Sequence, residues 1–341
     1  MQTMPSVSGE KELKPKTTSF YSLSFNAYKG VMRNIIPIII ALLLVGCGIR
    51  SKSNTEPESY QQGTRTMKRS VESIASLSSR EEYDSMIAHF WDDFDFEAGE
   101  EVIAYDSLDI ISAMAEYVSY IPPRDADSLL SNLMRRASQS KPVLEFFSMV
   151  AEVVLHDPNS PLRNDEYYIP VLETLLESPL LNEYERIAPE YDLEIARKNR
   201  IGTPANDFTY TLADGSSHRL HDIEARYTIL MFSNPDCPMC REIMEQICAS
   251  PLLNELTERG DLRTLSLYPD RDLEAWHNHL DDMPDAWINA YDKGQKITIE
   301  RLYNLNAIPS LYLLNANKRV IIKDGTSVAQ IENVIAYLES L

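Results

Sequence analysis

The sequence predicts two architectures in one chain. An all-α domain comes first, and an α/β domain with a mixed sheet flanked by helices follows at the C-terminus. Three observations predict this. Residues 64–201 contain a single glycine, Gly99, and carry apolar residues at helical spacing. From residue 202 onward, short apolar runs of strand length alternate with helical patterns. The chain of 341 residues is long enough for two cores.

In the helical stretch, placed at 64–200, Val143, Phe146, Phe147, Val150, Val153 and Val154 fall on one broad face of 142–156. Leu129, Leu130, Leu133 and Met134 do the same within 124–139. Prolines at 122–123, 142, 158, 161, 170 and 179 read as punctuation between helices, with Pro189 alone inside a pattern. About six helices are expected. Residues 89–96, HFWDDFDF, interleave aromatics with aspartates. They read as a helix end whose Phe90, Trp91, Phe94 and Phe96 fill the core while Asp92, Asp93 and Asp95 face water. A metal or peptide site on the three acids is the weaker reading.

The α/β stretch, 201–341, opens with an alternating segment and the pair Asp214-Gly215, which predict a hairpin over 207–220. The runs 227–233 and 262–268 predict buried strands, as do 310–314 and 319–322, with a turn at 315–318 between the last two. Helices are predicted over 238–249, resuming after Pro251, over 273–280 and over 328–341. Trp276 and Trp287 are expected to pack under the sheet, and His277 and His279 to face solvent.

The excess of 52 acidic over 32 basic residues, a formal charge of −20, repels nucleic acid and anionic headgroups, so no nucleic-acid partner is expected. The N-terminus carries an address. Residues 35–46, IIPIIIALLLVG, are too short to span a bilayer and suit the apolar core of a secretory signal. They end in Leu44-Val45-Gly46-Cys47, which resembles the bacterial lipobox, in which the cysteine is lipidated and becomes the mature N-terminus. Residues 1–31 are polar and mixed, whereas a compact basic start followed by the apolar run begins at Met32, so translation is expected to start there. Residues 48–63 lack periodicity and read as a flexible tether. The expected location is the bacterial cell envelope, anchored through Cys47 and facing the periplasm, with the outer membrane favoured over the inner.

Between a predicted strand and a predicted helix stands Cys237-Pro238-Met239-Cys240. A first cysteine at a helix N-terminus meets free N–H groups and the positive end of the dipole, which favour a thiolate. A second cysteine one turn later can resolve a mixed disulfide. Pro238 suits the first turn, where a missing N–H costs nothing. A structural zinc site would need about four ligands, and no second pair exists, so no metal and no cofactor are expected. A structural disulfide closing so short a loop would stabilise little. Dithiol–disulfide exchange is the favoured reading. Cys248, eleven residues after Cys237, lies about 16 Å along the helix and reads as a buried, inert thiol.

Residues 201–341 resemble a TlpA/ResA-like thiol–disulfide oxidoreductase of the thioredoxin fold. The resemblance rests on "IGTPANDFTYTLADG", "YTILMFSNPDCPMC" and "NAIPSLYLLNANKRVIIKDG". It implies a cis bond between Ile308 and Pro309, facing the cysteine pair, that opens the Ile308 backbone to a substrate strand. The region 60–200 resembles a helical domain of unknown function that precedes such modules in bacterial lipoproteins, and it is expected to restrict or dock clients. The match is incomplete. Asp236 stands where an aromatic is usual, and Met231 stands where a buried acid is usual; both changes oppose thiolate formation at Cys237. With Pro238 and Met239 between the cysteines, these positions tune the pair toward a reductant or isomerase. The implied partners are cysteine-containing envelope proteins and a separate redox partner, with the membrane engaged through the lipid. A non-catalytic lipoprotein that uses the scaffold for binding is the rival, although a pure scaffold has no need of both cysteines. A thiol peroxidase is a third possibility, but it lacks a threonine or glutamate at the usual spacing from Cys237. No HExxH, P-loop, GxSxG or helix-opening GxGxxG occurs.

Overall fold

The computed structural model describes residues 63–67, 79–325 and 327–341. Cys47, the Met32 start, the apolar run and residues 48–62 of the tether lie outside the described residues. No helix among the described residues is long and apolar enough to cross a membrane.

Among the described residues, six α-helices form the first half: α1 (Arg80–His89), α2 (Ser107–Tyr120), α3 (Ala126–Ala137), α4 (Lys141–Leu155), α5 (Asp165–Glu177) and α6 (Ile187–Ala196). Their starts follow local chemistry. Ser79 and Glu82 form a capping box at α1, and the Asp106 and Asn164 side chains accept N–H bonds at the starts of α2 and α5. The periodic face of α4 is buried at Val143, Phe147, Val150 and Val154, with Phe146 and Val153 half-buried. One expectation fails. Pro170 lies inside α5, whereas Pro189 falls in the first turn of α6, where no N–H partner is needed. A mid-helix proline costs about 3 kcal/mol. Here α5 buries Tyr167, Tyr168, Ile169, Val171, Leu172 and Leu175 around it, and each fully buried large apolar side chain contributes about 1.5–3 kcal/mol.

The second half is built on one seven-stranded sheet in the order β2-β1-β5-β4-β3-β6-β7. The strands are β1 (Thr209–Thr211), β2 (Ser217–Arg219), β3 (Tyr227–Phe232), β4 (Leu262–Tyr268), β5 (Ile288–Tyr291), β6 (Ser310–Asn315) and β7 (Val320–Gly325). The helices are α7 (Pro238–Ala249), α8 (Pro251–Glu258), α9 (Leu273–Asn278), α10 (Lys296–Ile299) and α11 (Val328–Glu339). Strand β3 runs parallel to β4 and antiparallel to β6. The mixed sheet flanked by helices is the fold the sequence predicts. The hairpin turns at Gly215, whose φ of +85° is one that residues with a Cβ rarely adopt.

Strand β3 explains its own composition. All six of its residues are buried because both faces of the sheet are covered. Ile229 and Met231 point toward Ile243 and Ile247 of α7 and toward Ile331 and Ile335 of α11. Leu230 and Phe232 point to the other face, among Phe208, Tyr303, Tyr312 and Leu314. Strand β5 and helix α10 were not expected. Four residues long and only half-buried, β5 offers neither an apolar run nor clean alternation.

Candidate active site

The polypeptide leaves the buried strand β3, turns over 233–236 and enters α7. Asn234 shapes the turn. Its Oδ1 accepts the Asp236 N–H at 3.2 Å, its carbonyl accepts the Cys237 N–H at 3.1 Å, and its Nδ2 donates to Asp270 just beyond β4 at 2.8 Å. Cys237 is the N-cap of α7, and Pro238 opens the helix. The sulfur itself does the capping, because Cys237 Sγ accepts the backbone N–H of Cys240 at 3.2 Å.

Opposite the helix end, Ile308 and Pro309 join through a cis peptide bond. The Ile308 carbonyl lies 3.6 Å from Cys237 Sγ, so the thiol donates to it. The sulfur therefore sits between a backbone donor and a backbone acceptor. The N–H contact is one a sulfur anion keeps, and the carbonyl contact is one only an S–H group makes. Residues 237, 240, 308 and 309, which the sequence placed at a shared site, are brought together here.

The two cysteines differ. Both are free thiols, with Cys237 half-buried and Cys240 buried. Burial, followed by the hydrogen bond with Cys237, pushes the Cys240 thiol up to about 12. Met239 between them is exposed. Asp236 is also exposed, with its carboxylate in water, and the capping role belongs to Cys237. Met231 is buried at 1% exposure in the position where the resembling family carries an acid.

Two sequence readings are corrected. Cys248 is exposed, not buried, because its place on α7 falls between the inward-facing Ile243 and Ile247 and the solvent side. His279 is half-buried, with its Nδ1 2.8 Å from the Ala275 carbonyl, whereas His277 is exposed as expected. As expected, Trp276 is buried and the half-buried Trp287 packs against the core beneath the sheet, and both also line an open cleft beside Cys240. This cleft of about 410 Å³ is also walled by Met231, Met244 and Met283. The sequence reading missed it. No local signal marked it, because its walls come from β3, α7, β4 and the 276–287 connection, which are distant in sequence. Among the described residues, no cluster of three or more His, Cys, Asp or Glu side chains is arranged to hold a metal ion.

A family model described as thioredoxin-like matches residues 225–320, and a domain of unknown function, DUF5106, matches residues 47–199. The crystal structure of a thioredoxin-like protein from Bacteroides caccae shares 36% identity, over 80% of this chain and 99% of that one, with a TM-score of 0.74. The chain belongs to the thioredoxin-like proteins. A C-terminal domain of an uncharacterized protein from Bacteroides fragilis is 44% identical over 40% of this chain and 98% of that one, with a TM-score of 0.40. Mouse and human nucleoredoxin are each 25% identical over 113 residues, which is 33% of this chain and 26% of theirs. This thioredoxin-like chain thus spans about a quarter of the length of the curated relatives it matches.

Proposed function

We propose that this thioredoxin-like protein exchanges thiols and disulfides through Cys237 and Cys240, as a reductant or isomerase. The observation that carries the reading is Cys237 Sγ at the start of α7, within reach of the Cys240 N–H and beside the Ile308 carbonyl. In the reductive direction, the Cys237 thiolate attacks one sulfur of a client disulfide. The client S–S bond breaks, and the other client sulfur leaves as a thiol after taking a proton. Cys240 then loses its proton through the cleft it lines and attacks the Cys237 sulfur. The Cys237–Cys240 disulfide forms, the second client thiol is released, and two electrons have passed to the client. An external dithiol must return the pair to the reduced form. In the isomerase direction, a client thiol attacks the mixed disulfide before Cys240 does.

The half-exposed position of Cys237 suits the attacking role, and the burial of Cys240 suits the resolving one. The proton-laden state of Cys240, the buried Met231 and the solvated Asp236 next to Cys237 support the reducing side of the range. A measured potential near about −120 mV, the oxidant end, would overturn that direction. Our reading of the N-terminus supports a setting in the bacterial envelope, with Cys47 lipidated, the outer membrane favoured and cysteine-containing envelope proteins as clients. Lipid labelling that is lost in Cys47→Ser checks the anchor. The central test is reduction of insulin, or recovery of a scrambled disulfide protein, by wild type and Cys237→Ser. Equal rates would leave a binding scaffold as the function.

A further inference from the structure

The two halves meet through a buried set of charges next to the active-site proline. Arg163, just ahead of α5, lies 3.2 Å from Asp324 of β7, and their side chains are 9% and 7% exposed. The other carboxylate oxygen of Asp324 accepts the Ser310 hydroxyl at 2.9 Å. Ser310 is buried and follows Pro309 directly. A continuous path therefore runs from the helical half through Arg163, Asp324 and Ser310 to the backbone that faces Cys237.

The backbone of β7 is bent to make this path. Successive strand residues point to opposite faces. Here the adjacent Lys323 and Asp324 both reach the helical half. Lys323 Nζ donates to the carbonyls of Ala196 and Lys198, at 2.8 and 2.6 Å, and lies 2.7 Å from Asp165. Asp324 can point the same way because the β6–β7 register shifts between Leu311 and Leu313, and because its φ is +48°. A non-glycine residue in the left-handed region persists where its surroundings over-determine it, and such residues gather at functional sites. Arg163 and Ser310 hold the Asp324 carboxylate there by direct contact, and the Lys323 charge lies nearby. Ser310, Tyr312 and Asp324 lie on the face opposite α7, so the cluster reaches the site through the backbone of 308–310 and makes no contact with the thiols.

We propose that Arg163, Asp324 and Ser310 are positioning residues, through which the helical half holds the 308–310 backbone in place for pairing with a client strand. This rests on the exchange function proposed above. It also gives the helical half a role. That half sets how well the thioredoxin-like half receives a polypeptide, while the reactivity of Cys237 is left to α7.

The test uses the full chain with Arg163→Met, Arg163→Lys and Ser310→Ala. Two quantities are measured: steady-state reduction of insulin, and hydrogen exchange of the amides over 306–311 relative to those over 243–247. Arg163→Met should raise KM about two- to thirtyfold, with kcat and the alkylation rate of Cys237 within about twofold of wild type. It should also speed exchange over 306–311 alone. Ser310→Ala, which leaves every charge paired, should shift both readouts in the same direction by less, and Arg163→Lys should restore KM toward wild type. A merely structural role would lower the melting temperature of Arg163→Met and leave KM of the folded enzyme unchanged, which overturns the proposal. If Arg163→Met does not fold, Ser310→Ala decides, and wild-type KM and exchange in that variant overturn the relay. If wild type reduces no insulin, the exchange function falls instead, and the hydrogen-exchange comparison still decides for or against the positioning path.

Discussion

The stretch HFWDDFDF in the helical half and the stretch NPDCPMC in the thioredoxin-like half both set aspartate beside side chains that dominate their surroundings. Folding does opposite things with them. In the first, every aromatic goes inward. Trp91 and Phe147 stand 5.3 Å apart edge to face, Phe94 stacks on Tyr105 at 4.5 Å, and Arg136 lies over Phe96 at 4.3 Å. Asp92, Asp93 and Asp95 stay in water. In the second, the sulfur proposed to react is held at the surface. Cys237 Sγ stays half-exposed because it caps a helix, and Asp236 beside it is exposed. Apolar area decides the first arrangement and the unpaired N–H groups of a helix end decide the second.

This contrast can be broken or sharpened by substitution. The largest expected effect is in the redox stretch. Cys237→Ser should bring disulfide reduction down to background, while Cys240→Ser should arrest the reaction as a mixed disulfide that mass spectrometry detects after trapping with a client. In the aromatic stretch the largest effect is on stability. Trp91→Ala removes a side chain that is 2% exposed and should cost about 3–5 kcal/mol in urea unfolding. The alkylation rate of Cys237 per folded molecule should not change. A fall in that rate would mean that the two regions are not independent.

The next effect depends on pH. Burial raises the Cys240 thiol to about 12 in the folded dithiol form, so the folded chain keeps a proton that the unfolded chain loses from about pH 8.5 upward. Between those values the unfolded state binds fewer protons, and stability falls as pH rises. The reduced protein should therefore lose more stability than Cys240→Ser on going from pH 8 to 11, as followed by thermal unfolding. At pH 7, iodoacetamide should modify Cys237 and spare Cys240.

The smallest effects belong to exposed side chains. The hydrogen bond from His89, with help from Arg136, holds the Asp92 carboxyl below its usual range. Its contribution is present above the unfolded value and is lost as pH falls through the folded one. Asp92→Asn should therefore cost no more than about 0.5 kcal/mol at pH 7, and the difference should vanish in acid. Cys248→Ser should leave both turnover and unfolding unchanged, because Cys248 is exposed and remote from the cysteine pair.

Residue by residue, the sequence is legible where a local rule governs. The alternation of strand and helix, the Asp214-Gly215 turn, the inward aromatics of 89–96 and the cysteine at the start of α7 all follow from propensity, periodicity or capping over a few residues. Cys248 reads wrongly as buried because thiols so often are, and its exposure depends on the face of α7 that meets the sheet. Pro170 reads wrongly as a helix boundary because a proline inside a helix is costly, and only the packing around α5 offsets it. Strand β5 leaves no local pattern, since pairing with β4 and β1 makes it a strand.

By itself, then, the sequence determined the order of elements, the burial of their apolar faces and the pair of thiols at a helix start. These depend on neighbours within a turn or two of chain. The resemblance already set Ile308 opposite Cys237, 71 residues away, but the tertiary structure alone decided that Arg163 reaches Asp324 across 161. It also decided that a cleft opens beside Cys240. Contacts between distant segments carry no periodicity, so the packing of whole elements has to bring them together before their chemistry exists.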